Sequence, residues 1–361
     1  MRNSNIDIAK GIAIILMVMG HSSCPTELYK AIYSFHMPLF YILSGYFLNK
    51  DPLTDTRSFL LNKWKKLAIP LIICGIISVL LHNFFFRVGI INEFYGTRSG
   101  DVAYLFSAKD ILIRIGLIIG ALEVYDDPFL GAAWFIQSMF FAYVAISIIH
   151  YCFHRFSWDS QLKIGLCIFV FASLFLTTLH WCIPSIKTYF ITRTAMAGVF
   201  IYLGTFLRNA IDAWKVQWWH LCLVALPIFS TIFIPITICM EEQINPLQFA
   251  TLLITGTTGT LFIYGTCQNI TQYRVLSSIL QTLGKYSIYI LFLHMLMFKP
   301  ISYLFIKFYN LDPLWIGCRP TIYQIANSWH WIVYTVGSIL LCMMIAFIRA
   351  SSFHFWRQNS D

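Results

Sequence analysis

The chain has 361 residues, of which 58% are hydrophobic, 17% aromatic and only 11% charged, whereas soluble domains carry about 25% charged residues. A deficit spread along the whole length excludes a soluble globular protein and makes lipid the main solvent. The net charge of +9 does not indicate a nucleic-acid partner, because the basic residues fall between apolar runs rather than among exposed aromatics of a soluble domain. The ten cysteines include no CxxC pair and sit mostly within apolar runs as buried thiols, which supports neither a disulfide framework nor a metal site.

Apolar windows of about 20 residues predict ten spans, beginning with 6–23, which reads IDIAKGIAIILMVMGHSS. A charge at mid-bilayer costs about 2.5–3.5 kcal/mol on insertion scales, yet this segment carries Asp7, Lys10 and His21. At about 100° per residue, Lys10 and His21 point within about 20° of each other and Asp7 lies about 60° from Lys10, so the three share one face. Asp7 and Lys10 could simply mark the helix end by snorkelling, and His21 could cap the far end. A polar stripe running the length of the helix instead lines something other than lipid. Asp7 interrupts what would be a signal-peptide n-region and no small-residue cleavage site follows, so this helix is expected to remain in the protein.

The second span, 31–48, contains SFHMPLFYILSGYF. Its His36 is either an interfacial cap or a partner facing His21 across a short loop, and Ser44-Gly45 reads as a small-residue packing surface. The third span, 67–86, follows the densest basic group, Lys63, Lys65 and Lys66 around Trp64. The stretch 87–131 holds Gly96, Gly100 and Asp126-Asp127-Pro128; it is too small for a second domain and large enough for a lid. Within it, Ile111–Leu122 is too short to span and includes Arg114, which suits an interfacial or re-entrant helix.

Trp134 opens the span 132–152, as an aromatic-belt residue or as a stacking surface for a sugar ring. After 164–182 comes 189–208, where Arg193 could contact an acceptor oxygen or snorkel to the interface. The spans 218–238 and 247–267 flank Glu241-Glu242, which, like Asp126-Asp127, read as solvated loop charges. His294 lies inside the span 285–306, as a hydrogen-bonded structural histidine or as part of a site. The last span is 329–349. The distribution of Lys and Arg between loops favours a cytoplasmic N-terminus, and an even number of spans returns the C-terminus, with Arg349 and Arg357, to the same side. The expected fold is one all-α, polytopic membrane bundle over residues 1–361. No GxSxG or HExxH motif points to common hydrolase chemistry.

Asp7-Ile8-Ala9-Lys10-Gly11 with His21, followed by FHMPLFYILSGYF, resembles the amino-terminal signature of the acyltransferase-3 family. KLAIP (Lys66–Pro70), Trp134-Phe135 and LGKYSIYILFLH (Leu283–His294) agree in order and spacing. The HMPLF wording is similar to the fucose 4-O-acetylase-like branch. The resemblance implies transfer of an acyl group, usually acetyl from cytoplasmic acetyl-CoA, to hydroxyls of extracytoplasmic or lipid-linked glycans such as surface polysaccharide units, in a bacterial cytoplasmic membrane. It implies catalytic roles for His21 and Asp7, with Lys10 where an arginine is usual. It also implies contacts of Lys10, Lys63, Lys65 and Lys66 with the CoA phosphates. Lysine meets a phosphate as a point charge rather than a planar fork. His36, Trp134, Arg193 and His294 are the expected acceptor-side residues. The partners expected are acyl-CoA, a glycan acceptor and membrane lipid, with no metal and no nucleic acid. General-base and acyl-histidine mechanisms both remain open. A transporter or flippase of lipid-linked sugars is the competing reading, although no repeated halves with broken helices are visible; a polymerase is a third.

Overall fold

The computed structural model describes residues 4–49, 55–95, 103–185, 188–242, 244–325 and 328–358; Gly96 and Gly100 lie outside them. Among the described residues every regular element is helical. The main helices are α1 (Ser4–His21), α2 (Thr26–Tyr33), α3 (His36–Tyr46), α4 (Thr56–Arg87), α5 (Ala108–Ala121), α6 (Trp134–Cys152) and α7 (Trp158–Cys182). They continue as α8 (Tyr189–Ala213), α9 (Trp218–Ser230), α10 (Pro246–Ile270), α11 (Arg274–Lys285), α12 (Ser287–Tyr309) and α13 (His330–Gln358).

Among the described residues, eight helices are long and apolar enough to cross a membrane: α1, α4, α6, α7, α8, α10, α12 and α13. Eight rather than ten is the result, and the reason lies in two of the expected spans. The window 31–48 breaks between α2 and α3, leaving α3 with 11 residues, about 16 Å of helix against a hydrocarbon core of about 30 Å. Phe35 leaves helical geometry at φ −144°. The carbonyl of Ser34 beside this break accepts a hydrogen bond from Thr255 Oγ1 of α10 at 2.8 Å. A polar group freed at a break must find a partner when water is excluded, and α10 supplies it. The window 218–238 likewise yields only the 13 residues of α9, with Pro227 inside it, and a following single turn. Helix α5 is 14 residues long, opens on a reciprocal Ser107–Asp110 capping box, and is not among the crossing helices.

The chain divides into two compact units. The first takes the described residues within 1–9, 27–70 and 135–276. Its centre is α3 packed on α8 and α10, with α7 behind α8. The approach of α3 to α8 is closer than side chains permit: a Cβ on Gly45 would overlap the carbonyl oxygen of Ile201, and one on Gly204 would overlap that of Ile42. In a membrane, where apolar side chains gain little by leaving lipid, such small-residue seams allow dense packing. Arg208 closes one end of the seam, donating to the carbonyls of Tyr46 and Leu48, each at 2.6 Å.

The second unit takes the described residues within 10–26, 71–134 and 277–361. Helices α12 and α13 form its main pair, joined in the interior by the hydroxyls of Ser302 and Tyr334, 2.8 Å apart. Helix α11 lies against α1 so closely that a Cβ on Gly11 would overlap the Leu280 carbonyl.

Candidate active site

Helix α1 carries its acidic residue, Asp7, in the first turn and His21 in the last, the polarity that a helix dipole favours. Asp7 is buried and belongs to the first unit; Lys10 and His21 are partly buried and belong to the second. Immediately after His21 the chain is pinned twice. Ser22 Oγ donates to Met19 O at 2.7 Å and accepts from Thr335 Oγ1 at 2.9 Å. Ser23 adopts a left-handed φ of +59°, an unusual conformation for a residue with a side chain, and its hydroxyl lies 2.5 Å from that of Thr321. The His21 end of α1 is therefore fixed by α13 and by the loop that precedes it.

The ring beside His21 is that of His294, with centroids 5.4 Å apart and planes tilted by 39°. His294 is wholly buried in α12. Its Nδ1 lies 3.0 Å from Ile290 O and 2.9 Å from Leu291 O. Carbonyl oxygens only accept, so Nδ1 carries the proton and, in the neutral ring, Nε2 is an acceptor. That Nε2 is buried and has no hydrogen-bond partner among the described residues. Phe298 closes the other side, edge-on to the His294 ring at 5.7 Å. A fixed acceptor nitrogen beside a second imidazole can receive a hydrogen bond from that imidazole or from a hydroxyl placed between them.

The other expected site residues are placed as follows. Trp134 is buried in the second unit, directly after the 3-10 turn Gly131–Ala133, and faces protein rather than an aqueous boundary. The turn is held by Asp127, whose Oδ1 accepts from Phe129 N at 2.8 Å and Leu130 N at 2.9 Å. In the first unit, His36 is buried with Nδ1 2.9 Å from Ile32 O and its ring edge-on to Tyr33 at 4.8 Å. Arg193 is buried too, donating to the carbonyl of Glu241 and standing 5.5 Å from the Tyr189 ring. Lys63 projects its ammonium over the Tyr143 ring at 3.7 Å; Lys65 and Lys66, in the π-helical turn Trp64–Ala68, are exposed.

Two loop charges depart from expectation. Glu241 is buried rather than solvated. Asp127 is half-buried, and desolvation pushes its carboxyl above the ordinary range, against the pull of the Phe129 and Leu130 amides and of Arg319. Two cations of the second unit were not singled out by the sequence reasoning. Lys299 is buried in α12, donating to Ile316 O at 2.8 Å and Cys318 O at 2.7 Å. A lysine inside a membrane-length apolar run is a signal that could have found it. Arg319, in the loop before α13, had no such signal.

The protein-family model described as an acyltransferase domain matches residues 3–347. Comparison with curated proteins and with solved structures gives no match.

Proposed function

This chain belongs to the acyltransferase-3 family and is an integral membrane acyltransferase; from that premise we propose that it moves acetyl from cytoplasmic acetyl-CoA to a hydroxyl of an extracytoplasmic or lipid-linked glycan. The observation that carries the reading is the His21–His294 pair, with the unpartnered Nε2 of His294 buried beside it. In the reaction His21 takes the proton of the acceptor hydroxyl as that oxygen attacks the thioester carbonyl. The new C–O bond forms as the C–S bond breaks, and the departing thiolate receives the proton that His21 holds. An imidazole suits this exchange because its ordinary pKa of about 6.5 lies near operating pH. His294 Nε2 accepts a hydrogen bond that orients either the His21 ring or the hydroxyl.

The donor runs along α1. Lys10 lies eleven residues before His21, about 16 Å at ~1.5 Å per residue, and extended pantetheine covers on the order of 15–20 Å. The CoA phosphates therefore meet Lys10 at a cytoplasmic N-terminal side of the membrane. Both chain termini then face the cytoplasm of a bacterial inner membrane. The likeness of FHMPLF to the fucose 4-O-acetylase-like branch supports a sugar hydroxyl as acceptor.

Acetyl-CoA binding to the purified protein tests the donor half of this reading. Each charge-assisted contact contributes about 1.5–3 kcal/mol, so Lys10→Ala should weaken binding by about tenfold or more, and Lys10→Glu, which reverses the charge, should weaken it further. Unchanged affinity by calorimetry in both variants contradicts the phosphate site.

A further inference from the structure

The second unit holds a polar loop cluster that the acyl-transfer chemistry leaves unused. Asn92 Nδ2 donates to Leu314 O at 2.9 Å, and Gly317 lies so near the Asn92 amide that a Cβ there would overlap it. Lys299 fixes the same loop from below through the Ile316 and Cys318 carbonyls. Gln324 Nε2 donates to the Tyr95 hydroxyl at 3.4 Å, and the Tyr95 and Tyr323 rings meet edge-to-face at 5.6 Å. The Ser23–Thr321 hydroxyl pair ties this loop, two residues from Arg319, to a point two residues beyond His21.

Two buried polar atoms of opposite kind in this cluster lack a hydrogen-bond partner among the described residues: Nη2 of Arg319, a donor, and Oδ1 of Asn92, an acceptor. Leaving such groups unmatched is costly, and a ligand that both donates and accepts removes the cost at both. Charge narrows the choice of ligand. Arg319 is opposed by Asp126 and Asp127, while Lys299 and His82 feel Arg319 as a like charge, and Lys299 also feels Cys318. Burial lowers the Arg319 guanidinium to about 10 while the two aspartates act in the other direction. With two carboxylates beside the guanidinium, and the Lys299 ammonium bonded to the Ile316 and Cys318 carbonyls, the cluster favours a neutral ligand over an anion. Tyr323 is 51% exposed, and an aromatic ring is a flat apolar face of the kind sugar rings stack upon.

We propose that this cluster is the acceptor subsite and that it takes an uncharged, hydroxyl-rich sugar, through Arg319 Nη2 and Asn92 Oδ1, with the ring against Tyr323. A hydroxyl is donor and acceptor at once, which is what the two atoms require. The inference rests on the acyl-transfer reading and supplies its acceptor class.

The test uses the full chain in nanodiscs, with L-fucose, D-galactose, glucuronate and glucose 1-phosphate as probes, read by calorimetry and by transfer from labelled acetyl-CoA. Arg319→Lys keeps a cation beside the aspartates while removing Nη2, and Tyr323→Ala removes the exposed ring. A neutral sugar should bind more tightly than either anion. Each variant should raise the KM for the neutral sugar by about tenfold, the loss of one hydrogen bond or stacking contact, with the KM for acetyl-CoA and the melting temperature unchanged. No binding of either neutral sugar, tighter binding of an anion, an unchanged sugar KM, or a parallel rise in both KM values would overturn the subsite. Sugar binding without any transfer from acetyl-CoA by the wild type instead overturns the donor assignment and leaves the subsite standing.

Discussion

His294 illustrates how helix geometry sets the chemistry of one side chain. The carbonyls of Ile290 and Leu291, three and four residues back, capture Nδ1–H and leave Nε2 as an acceptor inside the core. His294→Phe keeps a ring of similar size and removes that acceptor, so acyl transfer should fall by about tenfold or more while the melting temperature holds. Equal transfer rates in variant and wild type would reduce His294 to a packing residue. Asp127 offers a second, independent reading at this scale. Its folded-state pKa lies above the ordinary value of 3.8 because of burial, so the folded state holds the proton more firmly than the unfolded one. That contribution is fully present below the unfolded value and is lost as pH rises through the folded value. Asp127→Asn retains an oxygen for the Phe129 and Leu130 amides but cannot titrate. The melting temperature of the wild type relative to Asp127→Asn should therefore decline as pH rises through the acidic range, and parallel curves would show that Asp127 does not titrate as described.

At the level of elements, the eight crossing helices were legible because about 20 apolar residues leave few alternatives in a lipid solvent. The break between α2 and α3 was not. Hydropathy counts apolar residues and cannot register that Phe35 turns out of the helix or that Thr255, distant in sequence, receives the Ser34 carbonyl. The short α9 hides in the same way, since its apolar run continues past the 3-10 turn Thr231–Phe233 into residues that are not helical. Ser44-Gly45 was read as a packing surface, and Gly45 does lie in the α3–α8 seam against Ile201. Gly45→Ala should force α3 away from α8, lowering the melting temperature by several degrees for a cost of about 1–3 kcal/mol. A variant that melts with the wild type would mean that the seam yields without cost.

For the molecule as a whole, the helix that carries Asp7, Lys10 and His21 was legible by itself, because its apolar length needs no tertiary knowledge. What stands around it was not. The ring beside His21 comes from α12, and the loop tied to Ser23 carries Arg319; both pairings join segments far apart in sequence, and a single sequence carries no record of them. Burial of Glu241 and Asp127 is likewise a property of the assembled fold rather than of the loop sequences. In the proposed reaction His21 acts on a proton rather than on the phosphates or the fold. The direct measurement is acetyl transfer from labelled acetyl-CoA to glycan by purified His21→Ala, alongside its affinity for acetyl-CoA and its melting curve. Transfer should fall by about 10²–10⁴-fold with affinity and stability retained; a folded His21→Ala protein that transfers at the wild-type rate would contradict it.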